Sequence, residues 1–90
     1  MVRENLDDAA ATLRDAADAA SDDETRERLE NQAEQFADHA EADRGPDHGT
    51  LARHEHILTE IADEEGGDVA ADVEDALESI RAFRETVEGV

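Results

Sequence analysis

The sequence contains no cysteine, which excludes disulfides, thiolate metal sites and a cysteine nucleophile. Lysine is missing as well: all 8 basic residues are arginine, at positions 3, 14, 26, 28, 44, 53, 81 and 84. Lysine is a good helix former and a common surface residue, so its absence is a marked bias. No apolar run exceeds three residues, as in Ala9-Ala10-Ala11, which excludes a transmembrane helix and the apolar stretch of a secretory signal. A soluble, cytoplasmic protein is the expectation. With 90 residues the chain has room for a single domain, residues 1–90.

What is present is acid and alanine. The 27 Asp and Glu residues against 8 Arg give a formal charge of −19, and alanine fills 17 positions. Leu, Ile, Val and Phe together make only 16 residues, a fraction that at this charge usually signals disorder, so a disordered acidic chain competes with a folded domain adapted to molar salt. Electrostatic scale says what the second requires. A compact chain of this length has a radius of gyration of about 12 Å. The screening length is about 10 Å at 0.1 M salt and about 3 Å at 1 M. In dilute buffer the carboxylates repel across much of the molecule, whereas in molar salt each senses only close neighbours. Acid excess, missing lysine and abundant alanine fit a folded domain adapted to molar salt, where negative charge also preserves solubility.

Apolar periodicity argues for helices. Val2, Leu6, Ala9, Leu13, Ala16 and Ala20 recur at spacings of four and three, a heptad seam of alternating large and small residues. Ser21 with Glu24 three residues on reads as a capping box for a second helix, whose seam is Leu29, Ala33, Phe36 and Ala40. Arg44-Gly45-Pro46 stops it, with Gly45 suited to a left-handed cap. Asp47 is the expected N-cap of a third helix bearing Leu51, His54, Leu58 and Ile61, with Ile57 and Ala62 alongside. Gly66-Gly67 ends it, and Asp68 is the expected cap of a fourth, with Val69, Val73, Ala76, Ile80, Phe83, Val87 and Val90 on one face and Leu77 widening the stripe. Helices over about residues 3–20, 22–43, 48–65 and 69–88, joined by short turns, predict an all-α fold: a left-handed, antiparallel, up-and-down four-helix bundle. Leu6 and Leu13 match Leu51 and Leu58 at an offset of 45, and Leu29 and Phe36 match Val73 and Ile80 at 44, as in two similar helical hairpins or any two amphipathic ones.

The run Arg44-Gly45-Pro46-Asp47-His48-Gly49, then Leu51 and Leu58, with Phe83-Arg84-Glu85-Thr86-Val87-Glu88-Gly89-Val90, resembles a family of small acidic haloarchaeal helical proteins of unassigned function. The likeness covers nearly the whole chain. It implies a salt-loving source and a helical fold, and it supplies no catalytic residue to carry over.

Four histidines are the polar residues with most chemistry. An antiparallel pair places the end of the second helix beside the start of the third, so His39, Asp47, His48 and His54 are candidate ligands for a divalent transition metal. His54 and His56 differ by two positions and face opposite sides of a helix. The competing reading makes His54 a core residue and leaves the other three histidines solvated. The loop from Gly45 to Gly49 is either a recognition element or simply the stop and start of two helices. Ser21 and Ser79 have no triad spacing, no cofactor is implied, and catalysis is not expected. Scattered arginines form no basic stripe, which disfavours nucleic acid, and no segment suits a membrane. From Ser79 to Val90 the charges Arg81, Arg84, Glu85 and Glu88 cancel. Ile80, Phe83, Arg84, Val87 and Val90 are therefore candidate contacts for another protein or a second copy in a homodimer, unless that stripe is the core face of the last helix. The expected function is a non-catalytic helical protein–protein interaction or structural module, with metal binding by interhelical histidines as the alternative.

Overall fold

A computed structural model describes residues 3–87, and these form four helices: α1 (Glu4–Ala19), α2 (Asp23–Glu41), α3 (His48–Glu65) and α4 (Gly67–Arg84). The expected all-α four-helix bundle is present. Cross-helix pairs fix its directions. The Arg3 amide donates to the Ala40 carbonyl at 2.9 Å and Arg26 reaches Ala17, so α1 and α2 are antiparallel. Arg28 pairs with Glu64 across α2 and α3, and Arg84 with Glu55 across α3 and α4, each again head to tail. α1 also packs along α4, which closes the ring. The radius of gyration is 12.3 Å, close to the value expected for a compact chain of this length.

The heptad seams face inward. Leu6, Leu13, Leu29, Phe36, Leu51, Leu58, Val73 and Ile80, the positions matched by the two offsets, are all fully buried. α1 buries two ridges of small residues, Ala9 with Ala16 and Ala10 with Ala17, where the periodicity marks only the first ridge. Val2, expected at the start of that seam, lies outside the described residues. Alanine lets two backbones approach closely, which is why one slender helix lies against both α2 and α4. α2 and α3 instead meet chiefly through their side chains, and that gap holds the larger polar groups described below.

Three helix caps differ from the sequence reading. The N-cap of α2 is Asp22 rather than Ser21: its carboxylate accepts from both the amide and the hydroxyl of Thr25, each at 3.0 Å. A carboxylate also complements the helix dipole, and Thr25 adds a second donor that a Ser21–Glu24 box lacks. α2 stops at Glu41 through an extended Ala42 (φ −64°, ψ 147°), so Gly45 is not a left-handed cap. A Cβ at Gly45 would lie 2.8 Å from Arg3 Nε, so a larger residue there would make that guanidinium shift. α4 begins at Gly67, so Asp68 lies inside its first turn and is not its cap. Gly66 alone serves as both the C-cap of α3 and the N-cap of α4. Its φ of 61° with ψ of −169° is a conformation open essentially only to glycine. The expected Asp47 cap is present, accepting from the Thr50 amide at 2.8 Å.

Two arginines tie α1 to α2 reciprocally. Arg3, at the N-cap of α1, donates to the carbonyls of His39, Ala42 and Asp43 at the end of α2. Arg26, in the first turns of α2, donates to the carbonyls of Ala17 and Ala20 at the end of α1. Each cation thus satisfies orphan carbonyls at the negative end of its neighbour. The task suits arginine, whose planar fork offers several donors at once, better than lysine.

Candidate functional site

The polar centre of the bundle lies between α2 and α3. Gln32, Phe36 and His39 lie on α2 at spacings of four and three, on one face, and His54 on α3 projects into it. His54 is buried (5 % exposed), with Gln32 at 6 %. Gln32 Oε1 lies 2.7 Å from His54 Nδ1, and His39 Nε2 lies 3.3 Å from His54 Nε2. A carbonyl oxygen only accepts, so His54 carries its proton on Nδ1 and presents a lone pair at Nε2, to which His39 Nε2–H donates. The Phe36 ring stands over this contact, 4.6 Å from the His54 centroid and 5.9 Å from that of His39.

Electrostatics keep both rings neutral. Burial pushes His54 down to about 4, with His39 and Arg53 acting in the same direction. Burial also lowers His39, assisted by Arg3 and opposed by Asp38. The three buried polar side chains, Thr25, Gln32 and His54, all have partners on the opposite helix, since Thr25 Oγ1 also lies 3.2 Å from Glu65 Oε2. Among the described residues no buried side-chain nitrogen or oxygen lacks a hydrogen bond.

The four expected metal ligands do not converge. His39 and His54 meet, but the Asp47 carboxylate is taken by Thr50, whose amide and hydroxyl hold it below the usual carboxylate range. His48 faces α4, where its Nδ1 accepts from Arg84 Nε at 3.2 Å. Position 48 lies six residues before 54, nearly two helical turns, which carries its side chain to a different face and level. Among the described residues no group of three or more His, Asp or Glu side chains is placed to hold a metal. His56 is exposed beside Glu60.

A second polar cluster ties α3 to α4. Glu55 accepts from Arg81 Nε at 3.2 Å and from Arg84 at 2.6 Å, and it remains only 16 % exposed. With Glu85, these residues line an open groove. Of the residues expected on a partner face, Ile80 is fully buried and belongs to the core. Phe83 and Val87 are half-buried against that core, and Arg84 is half-buried in the Glu55 cluster. α4 ends at Arg84 rather than near 88: Thr86 and Val87 amides turn back to the carbonyls of Phe83 and Arg84, so Val87 lies past the helix. Val90 lies outside the described residues.

Gln32 and Thr25 escape a search for apolar stripes because they are polar. Spacing alone places Gln32 on the seam, three residues after Leu29 and four before Phe36. The arginine ties carry a signal too: a cation at a helix N-terminus opposes its own dipole, which points to a neighbouring helix's C-terminus as its partner.

Fold and interior together define an all-α bundle whose buried polar groups are given over to joining its helices. The chain belongs to DUF7553, a family of unknown function, whose model matches residues 1–86. No curated protein and no solved structure matches it significantly. Among the described residues no helix is long and apolar enough to cross a membrane.

Proposed function

We propose that the chain is a non-catalytic helical module of a salt-rich cytoplasm, acting through helix-face contacts with a second copy of itself or with another protein. One observation carries this reading: the buried and half-buried side chains with acid–base or ligating chemistry are spent on joining helices. Gln32 and His39 engage His54, and Glu55 and His48 engage the arginines of α4. The groove at Glu55, Arg81, Arg84 and Glu85 is an open surface of paired charges, unlike the water-excluding pocket that catalysis needs.

The contact face is the end of α4 and the turn after it. There Phe83 and Val87 keep part of their apolar surface in solvent, and Arg81 and Arg84 are balanced by Glu55 and Glu85, which leaves the patch close to neutral. On a chain of charge −19 this is where another acidic surface meets least repulsion. The same overall charge supports a protein partner over nucleic acid, since phosphates are repelled by it. Sedimentation equilibrium in 3 M KCl tests the reading. The expected result is a dimer or larger species that Val87→Asp dissociates, or a defined partner captured at that salt whose binding Val87→Asp removes. A monomer at all concentrations that retains no partner would overturn it.

A further inference from the structure

We propose that the His39–His54 contact is a proton-operated latch on the α2–α3 seam, closed when the ring pair carries at most one proton between the facing nitrogens and opened by a second. This goes beyond the interaction reading and does not depend on it. The geometry sets the stoichiometry. Gln32 Oε1 holds the Nδ1 proton of His54, so the only nitrogen left to take another is Nε2, which lies 3.3 Å from His39 Nε2. A first added proton goes to His39 at Nδ1 and leaves the Nε2–H donation to His54 intact. A second, on His54 Nε2, sets two N–H donors and two positive charges against each other. The buried His54 ring, held by Gln32 and packed against Phe36, cannot turn away while the seam is shut, whereas the half-buried His39 ring meets Phe36 only edge-on.

The surrounding charges favour the same result. Arg3, from the segment preceding α1, reaches the His39 carbonyl at 3.2 Å, and Arg53 on α3 bears on His54. Asp38 on α2 is the carboxylate that acts on His39 in the opposite sense. Opening is local in this fold. Arg28–Glu64 and Thr25–Glu65 tie α2 to α3 at the other end of the seam and use neither histidine. α1 keeps its own contacts with α2 and α4. The released end would uncover Phe36, the largest fully buried side chain.

The pH window follows from the two states of His54. In the closed seam it takes a proton only near 4, and in an open one near the ordinary value of about 6.5. The closed state is therefore fully favoured above about 6.5 and progressively disfavoured as pH falls towards 4, where the opening equilibrium has grown about a hundredfold. The test is histidine ring titration by NMR together with amide exchange, in 3 M KCl between pH 7.5 and 4. Expected are a second protonation step near 4 for the ring pair and loss of protection at Phe36 and His54 while Leu13 and Ala76 stay protected. In His39→Gln the new amide oxygen can accept from a protonated His54, so the His54 titration should move upward and the local loss of protection should disappear. Independent titration of both rings near 6.5 would overturn the latch, as would simultaneous loss of protection at all four amides. If His39→Gln does not fold, the wild-type titration and exchange decide the matter by themselves.

Discussion

The thinness of α1 yields the sharpest mutational expectation. Ala9 is fully buried in the packing of α1 against its neighbours, whereas Ala11 on the same helix faces solvent. Leucine has nearly the helix propensity of alanine, so Ala9→Leu and Ala11→Leu differ in packing and in little else. Three added carbons at a position where neighbouring backbones already lie close force strain or displacement, at a cost of about 1–3 kcal/mol. The exposed substitution should stay within about 0.5 kcal/mol of wild type. A domain of this size has roughly 5–13 kcal/mol in total, so the buried change removes a large share. At about 4–8 °C per kcal/mol, a loss of about 2 kcal/mol lowers Tm by about 8–16 °C. Thermal melts followed by circular dichroism at 222 nm in 3 M KCl measure both variants side by side. An Ala9→Leu protein as stable as Ala11→Leu would refute the close approach of α1 to its neighbours.

Other substitutions probe the helix ends and the charge. Gly66→Ala forces a Cβ into a glycine-only conformation and should cost about 1–3 kcal/mol in the same melts; an unchanged Tm would mean that the α3–α4 connection has another geometry. Asp22→Ala removes the cap of α2 and should cost about 1 kcal/mol, whereas Ser21→Ala should be nearly neutral, and the reverse order would restore the serine cap. Asp72 is raised above the usual carboxylate range by partial burial and then by Asp15, Asp75 and Asp68. Its folded form therefore holds its proton longer than the unfolded chain, and stability falls as pH rises from the ordinary carboxylate value through the raised one. Asp72→Asn should stabilise the protein at neutral pH, more in dilute buffer than in molar salt; a destabilised variant would contradict the repulsion between α1 and α4.

How much of this was legible in the sequence depends on whether a residue's role is local. The seams at Leu6, Leu13, Leu29, Phe36, Leu51 and Leu58 follow from three- and four-residue spacing, a property of one helix at a time, and every one of them is buried. The Asp47 cap is equally local. The Arg3 tie to Ala42 spans 39 residues of sequence, and the His39–His54 pair needs two helices in register, so neither follows from a single segment. The four-ligand metal set does not assemble for a related reason: antiparallel packing does bring the end of α2 beside the start of α3, but helical rotation sends His48 to α4. The end of α4 differs in another way, since apolar spacing runs on to Val87 while the α-helical ladder stops at Arg84 and gives way to tighter bonds from Thr86 to Phe83 and from Val87 to Arg84.

The central claim is that a chain of charge −19 holds a thin four-helix core together once its carboxylates are screened. Far-ultraviolet circular dichroism across a KCl series, from about 0.05 M to 3 M, with a thermal melt at each step, tests it most directly. The expected result is strong helical signal with a cooperative melt whose midpoint climbs with salt. A coil-like spectrum at every concentration would contradict it.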